Sequence, residues 1–291
     1  MKIIKMNKNK KYKVDDNYFE NIDNEEKAYW LGFLYADGNV RIRKNSGILK
    51  LKLKQSDKHH VENFNKCINS NYLIKDGLEI LKHKNKEYKC YYSALCIYNT
   101  KLVKDLYNIG CVNNKTQKIR LPNINDIFIQ HFIRGYFDGD GCIHKLKSGI
   151  NCYDISIVSN TNFIVDLKTH FDNIFNSDIT FYENKNKMYS ILNISTREIR
   201  EKFYHYIYDN STIYLERKKK IFEDMMIIKD TNRKGKTNIK KHKVTNPNND
   251  IVFTDKGLAS FCRDNNLNYS SINNILRGII DNYKGWKIEL I

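Results

Sequence analysis

The chain has 291 residues, 41% of them hydrophobic and only two of them proline, so it can bury a sizeable core and is neither disordered nor collagen-like. At about 150 residues per domain, that length points to two domains. Lys and Arg number 50 against 33 Asp and Glu, and the resulting charge of +17 points to a polyanionic partner. No apolar run reaches the ~18 residues of a membrane-spanning helix. The start, Met1-Lys2-Ile3-Ile4-Lys5, is charged without an apolar core, so it does not read as a secretory signal. The seven cysteines are odd in number and show neither CxxC pairs nor a zinc-ligand rhythm, as expected of reduced thiols in a cytosol-like compartment.

The first predicted element is a helix that starts near Asp23 or Asn24. Glu26 follows Asp23 at capping-box spacing, and Gly38 stands where a left-handed C-cap would close the helix. Strands follow at Val40–Ile42 and Ile48–Lys54. The second alternates apolar and basic residues from Leu49 onward, giving it one dry and one wet face. A helix over Asp57–Ile68, a strand over Tyr91–Ile97 and a helix over Thr100–Asn108 complete the set. The same order then recurs. A motif helix around Ile133–Gly141 precedes strands at Cys142–His144 and Tyr153–Val158. A helix over Thr161–Phe175, a strand over Tyr189–Ile194 and a helix over Thr196–Tyr208 follow. The unit is α-β-β-α-β-β-α used twice, with one strand of the second pair faint in each half.

The repeat is sharpest in two nine-residue runs: Trp30-Leu31-Gly32-Phe33-Leu34-Tyr35-Ala36-Asp37-Gly38 and Ile133-Arg134-Gly135-Tyr136-Phe137-Asp138-Gly139-Asp140-Gly141. Glycine inside a helix costs about 1 kcal/mol against alanine. Gly32 with Ala36, and Gly135 with Gly139, therefore imply a gain from close helix–helix approach. Packing the two helices about a pseudo-twofold axis brings Asp37 and Asp140 together at adjacent helix C-termini. A carboxylate there is unfavourable unless a cation offsets it. Two side by side suit a hard divalent ion, and such ions catalyse phosphodiester hydrolysis.

These two motifs resemble those of the LAGLIDADG homing endonucleases in their single-chain, two-motif form, over about residues 20 to 230. Asn114-Lys115-Thr116-Gln117 through Leu121-Pro122 is similar to the family's junction between halves, and Tyr214-Leu215-Glu216-Arg217-Lys218 to the end of its second half. The resemblance implies an α+β fold in which two antiparallel sheets form a saddle in the DNA major groove. It implies that Asp37 and Asp140 bind metal, Mg2+ with Mn2+ or Ca2+ able to substitute in binding. Asp138 has Tyr35 as its counterpart and is not assigned metal. Lys115, Arg217 and Lys218 match basic residues near the scissile phosphates by position. Gln55, with Ser159 as its weaker counterpart, matches a residue that organises the attacking water. The sheet faces then offer Arg41, Arg43, Lys50, Lys52 and Lys54 on the first half. On the second they offer His144, Lys145, Lys147 and Ser156. Major-groove edges distinguish all four base pairs, which allows a long site to be read.

Residues 231–243 form a basic linker carrying Arg233, Lys234, Lys236, Lys240 and Lys241. Beyond it, residues 244–291 read as a small module: a strand at Val252-Phe253, a helix from Asp255 to Asn265 capped by Thr254, a turn, a helix over Ile272–Arg277 closed by Gly278, and a returning strand. Two short helices across a tight turn suggest a helix-turn-helix. The segment resembles the modular DNA-binding repeats associated with homing nucleases. Tyr269, Ser270, Asn273, Asn274 and Arg277 are its candidate contacts. The expected domains are 20–120, 121–230, 231–243 and 244–291. The expected activity is that of a monomeric, metal-dependent, site-specific double-strand DNA endonuclease. It would be cytoplasmic or nucleoid-associated, in a phage-infected bacterium or an organelle matrix, with no membrane partner. The alternatives are an intron maturase that binds RNA and a non-catalytic DNA-binding regulator.

Overall fold

The structure, a computed structural model, describes residues 12–44, 46–84, 86–113, 115–145, 153–177, 179–184, 189–227, 242–254 and 258–290. The chain divides into two compact units, Met1–Ile227 and Ile228–Ile291. No helix among the described residues is long and apolar enough to cross a membrane.

The first unit runs α1 (Glu25–Ala36), β1 (Gly38–Arg43), β2 (Ser46–Lys54), α2 (Lys58–Cys67), β3 (Ile74–His83), β4 (Lys86–Tyr98) and α3 (Thr100–Asn108). It continues α4 (Asp126–Asp140), β5 (Cys142–Lys145), β6 (Tyr153–Ser159), α5 (Thr161–Phe175), β7 (Phe181–Asn184), β8 (Tyr189–Asn193), α6 (Arg197–Tyr208) and α7 (Glu216–Ile227). The fold is α+β. Its two four-stranded sheets are antiparallel and share one strand order, β1-β2-β4-β3 and β5-β6-β8-β7. The faint strand of each half is thus β3 and β7. In β3, Asp76 and Gly77 break the apolar alternation by which a strand is recognised.

Helix α1 is apolar on every side and buried from Ala28 to Ala36, as a helix through the centre of a core must be. It lies directly against α4. A Cβ on Gly32 would stand 1.9 Å from the carbonyl oxygen of Phe132, and one on Gly135 would stand 1.9 Å from that of Tyr29. The two contacts are related by 103 residues, the offset that separates Asp37 from Asp140. The expected small-residue seam is therefore real, and it is reciprocal.

Two expectations about the ends of α1 need correction. Asn24 caps the helix by accepting from the Lys27 amide at 2.9 Å, so the spacing from Asp23 to Glu26 makes no capping box. Glu26 instead accepts from the Tyr18 hydroxyl at 2.7 Å. Gly38 is not a left-handed cap either: it opens β1, while Asp37 ends the helix at φ −98°. Its glycine is needed for space, because a Cβ would lie 2.6 Å from Leu34 O.

The second unit holds β9 (His242–Thr245), β10 (Ile251–Phe253), α8 (Leu258–Asp264), α9 (Tyr269–Leu276) and β11 (Lys287–Leu290), with sheet order β10-β9-β11. Val244, Leu258, Cys262, Ile272 and Ile288 form its core. The expected linker runs too far, since His242 and Lys243 belong to β9. Thr254 is tied to His242, whose amide donates to its hydroxyl at 3.1 Å. Asn268 caps α9, accepting from the Ser271 amide at 3.0 Å. Gly278 follows α9 at φ +68°, as a closing glycine should.

Candidate active site

Helices α1 and α4 end side by side, and each ends in an aspartate. The Asp37 carboxylate reaches over the other helix: its Oδ2 lies 3.5 Å from where a Cβ on Gly139 would sit, one residue before Asp140. Asp37 and Asp140 are both exposed residues. The Asp37 pKa is pushed up to about 6, first by partial burial and then by the Asp140 carboxylate, against the pull of Lys115, Lys218 and Arg217. Burial raises Asp140 as well, opposed by Lys115 and Lys218.

Two lysines hold the helix ends from below. Lys115 Nζ donates to Leu34 O at 3.0 Å, to Gly38 O at 2.6 Å and to Ala36 O. Lys218 Nζ donates to Phe137 O at 2.6 Å, Gly139 O at 3.1 Å and Gly141 O at 2.5 Å. Every one of these partners obeys the same 103-residue offset. An ammonium has three protons, and here all three are committed to carbonyls. The two lysines thereby lie against the helix ends. They place positive charge at the negative ends of the helices and beneath the carboxylates. Replacing Lys218 with Met would orphan the carbonyls, and we expect urea unfolding to show a loss of about 2 kcal/mol. Lys115 is less deeply buried, so Lys115→Met should cost less.

Arg217 leaves the first turn of α7 and donates through Nε to Asp57 Oδ2 at 2.9 Å. Gln55 is exposed immediately after β2, in a 3-10 turn over Gln55–Asp57. Ser159, at the end of β6, accepts from the Tyr136 hydroxyl at 3.0 Å. Asp138 is fully buried and accepts from Tyr29, Tyr208 and the Leu215 amide at 2.7–2.8 Å, so it faces the core and not the cleft. Among the described residues, no three His, Cys, Asp or Glu side chains gather to form a metal cage.

The first sheet presents the alternation that its sequence implies. Leu49, Leu51 and Leu53 are buried, Lys50 and Lys52 half-buried, and Lys54 exposed. Pairing of Asn39 with Lys50 puts exposed Arg41 and Arg43 on that same open face. A cleft of about 490 Å³ lies beside β1, lined by Gly38–Arg43, Val112, Asn113 and Lys115. Lys52 is already engaged: it is 2.8 Å from Glu79 and stands over the Tyr92 ring. Glu79 was invisible as its partner because β3 was not readable in the sequence. On the second sheet, His144 is exposed, with Nδ1 3.4 Å from Cys142 Sγ. Lys145 pairs with buried Tyr153, which sets it on the opposite register at the strand end. Ser156 is 8% exposed, so it is a covered residue and not an open contact. Lys147, Arg233, Lys234, Lys236, Lys240 and Lys241 lie outside the described residues. On α9, Tyr269, Ser270 and Arg277 are exposed and Asn273 and Asn274 half-buried, around an inward Ile272.

Residues 127–208 match the family model described as a LAGLIDADG-like domain. The chain is 26% identical over 244 residues to the replication factor C small subunit of Methanocaldococcus jannaschii, covering 83% of this chain and 11% of that protein. It is 24% identical over 200 residues to the uncharacterized protein MJ0398 of the same organism, covering 67% of this chain and 63% of that one. The chain thus spans less than two thirds of the length of either relative. Among solved structures it is similar to the homing endonuclease I-WcaI bound to its DNA recognition sequence, at 17% identity and a TM-score of 0.48, covering 70% of this chain and 90% of that one. It is similar also to the LAGLIDADG homing endonuclease I-GzeII in complex with a DNA target, at 13% identity and a TM-score of 0.46, covering 70% and 89%.

Proposed function

We propose that the chain is a LAGLIDADG-type homing endonuclease, a monomer that cuts both strands of DNA at one long site with the help of a divalent cation. The observation that carries this reading is the delivery of Asp37 and Asp140 to one place by two helices packed backbone to backbone. The match of residues 127–208 to the LAGLIDADG-like domain supports it. So does the +17 charge, because a duplex is bound largely through its phosphates.

The donor set fits a hard cation such as Mg2+, with Mn2+ or Ca2+ as substitutes in binding. Two solvent-open carboxylates that repel each other leave room for water and phosphate oxygens to complete its shell. When bound, such an ion polarises a phosphodiester and acidifies water. The protein's own groups do the rest. Asp37 and Asp140 hold the ion, Lys115 and Lys218 keep the carboxylates charged, and Gln55 stands exposed where a water could be oriented. Arg41, Arg43, Lys50 and Lys54 offer an open basic face to the duplex. In the second unit, α8 and α9 serve as a helix-turn-helix that adds contacts through Ser270, Asn274 and Arg277.

Incubating a randomised or genomic duplex library with the protein and Mg2+, then sequencing the cut ends, tests the reading. Breaks at one long site with short 3′ overhangs, abolished by EDTA, are the expected result. Tight binding of DNA or RNA with no breaks would replace the endonuclease with a regulator or a maturase. The cleavage rate should also climb with pH and level off above about pH 6, because Asp37 is protonated below that value and holds the cation poorly. Single-turnover rates between pH 5 and 8 check the point.

A further inference from the structure

An ion pair between the two halves lies near the carboxylates. Arg217, in the second half, donates to Asp57 of the first half at 2.9 Å. The Asp57 side chain is 7% exposed and that of Arg217 is 43% exposed. The carboxylate is therefore a fixed anchor, and the outer edge of the guanidinium reaches solvent. Asp57 occupies the N-cap of α2, yet its side chain caps nothing. Arg217 lies in the first turn of α7, the positive end of a helix, where a cation is unfavourable unless something holds it.

The location is next to the proposed chemistry. The adjacent residue, Lys218, clamps the carbonyls of Gly139 and Gly141 on either side of Asp140. The charge of Arg217 is also felt at Asp37. With Nε on Asp57, the two terminal nitrogens hold no acceptor among the described residues, and they form the edge that grips phosphate oxygens in pairs.

The other half lacks this device. The 103-residue offset carries Asp57 to Asn160 and Arg217 to Asn114. Asn160 does what Asp57 does not: it caps its helix, accepting from the Phe163 amide at 3.0 Å, and it donates to Ile119 O at 3.1 Å. Asn114 lies outside the described residues, and its identity alone shows that it carries no charge.

We infer that Asp57 is a positioning residue that holds Arg217 against the phosphate of one strand, so that the two strands are cut at unequal rates. This rests on the nuclease reading. Arg217 neutralises charge that builds on the reacting phosphate, and no bond to it forms or breaks.

The test is single-turnover cleavage of a duplex that carries the mapped site, with a different label on each strand. The wild type should cut one strand faster. Asp57→Asn should slow that strand about tenfold or more, with the other strand's rate and the DNA affinity nearly unchanged. Asp57→Glu should recover part of the faster rate. Arg217→Gln, at a half-exposed and readily tolerated position, should slow the same strand. Equal slowing of both strands, slowing of the slower one, or no change would overturn the inference. So would equal cutting by the wild type, and in each of these cases the nuclease reading survives. A wild type that leaves both strands whole would overturn both.

Discussion

Gly135→Ala should unfold most of the protein, or cost it at least about 3 kcal/mol in urea denaturation. In an ordinary helix the same change gains about 1 kcal/mol. Here the added methyl would stand 1.9 Å from Tyr29 O and 2.9 Å from Phe33 N, both backbone atoms of α1. Backbone cannot rotate aside as a side chain can, so the two helices must separate. Separation opens the interior around Tyr29, Trp30, Phe33 and Phe132, all fully buried. Overpacking alone costs about 1–3 kcal/mol, and the loss of contact along a central helix adds to it. Typical domains hold about 5–15 kcal/mol in reserve. Gly32→Ala should match it, because its methyl meets Phe132 O at the same distance. Gly139→Ala should also be costly, since its methyl would lie 2.3 Å from the Cβ of Ala36, which is fixed to the backbone. Equal stability of wild type and Gly135→Ala would show that the seam is looser than described.

The second large effect is on activity. Asp37→Asn and Asp140→Asn should each lower the cleavage rate by about 10³-fold or more while leaving DNA affinity within a few-fold. A bound cation contributes several kcal/mol to the transition state, and each 1.36 kcal/mol is tenfold in rate. Stability should move the other way. A carboxyl raised from 3.8 to about 6 binds its proton more tightly folded than unfolded. The metal-free protein therefore loses stability as pH rises from about 4 through 6, and stays at the lower level above. Asp37→Asn removes that repulsion, so its melting temperature at pH 7.5 without metal should exceed that of the wild type. Added Mg2+ or Ca2+ should raise the wild-type melting temperature and leave the variant's nearly unchanged. Full cleavage by both variants would refute the assignment of the metal to these carboxylates.

Much of this arrangement was legible in the chain, because it is written in short repeated signals. The two glycine-bearing motifs gave the helix pair, and Leu49, Leu51 and Leu53 gave the dry face of β2. What escaped depends on contacts that sequence does not order. Asn24 outcompeted Asp23 as a cap by local geometry. Gly38 is a steric necessity and not a conformational one, which its position alone does not tell. The lysine clamps carried a signal that was there to use: Lys115 and Lys218 stand at the motif offset. The pair of Asp57 and Arg217 carried none, since its members are 160 residues apart and belong to different halves. Ser156 is covered although its register faces the open side, which a strand pattern cannot foresee.

The lysine clamps also bear on how such a chain could arise. Lys115 closes the first half upon its own helix, and Lys218 closes the second upon its own. Each half thus contains an aspartate, an ammonium beneath it and a glycine for close approach. On the proposed function, a symmetric dimer of one such half would be compelled to read a palindrome. A single chain that carries both halves is free of that restriction. The two sheets share one strand order and differ in surface chemistry, with Arg41 and Lys50 on one and Asp154 and Val158 on the other. On the proposed function, this chain is free to recognise two unlike half-sites, so its target need have no symmetry of its own.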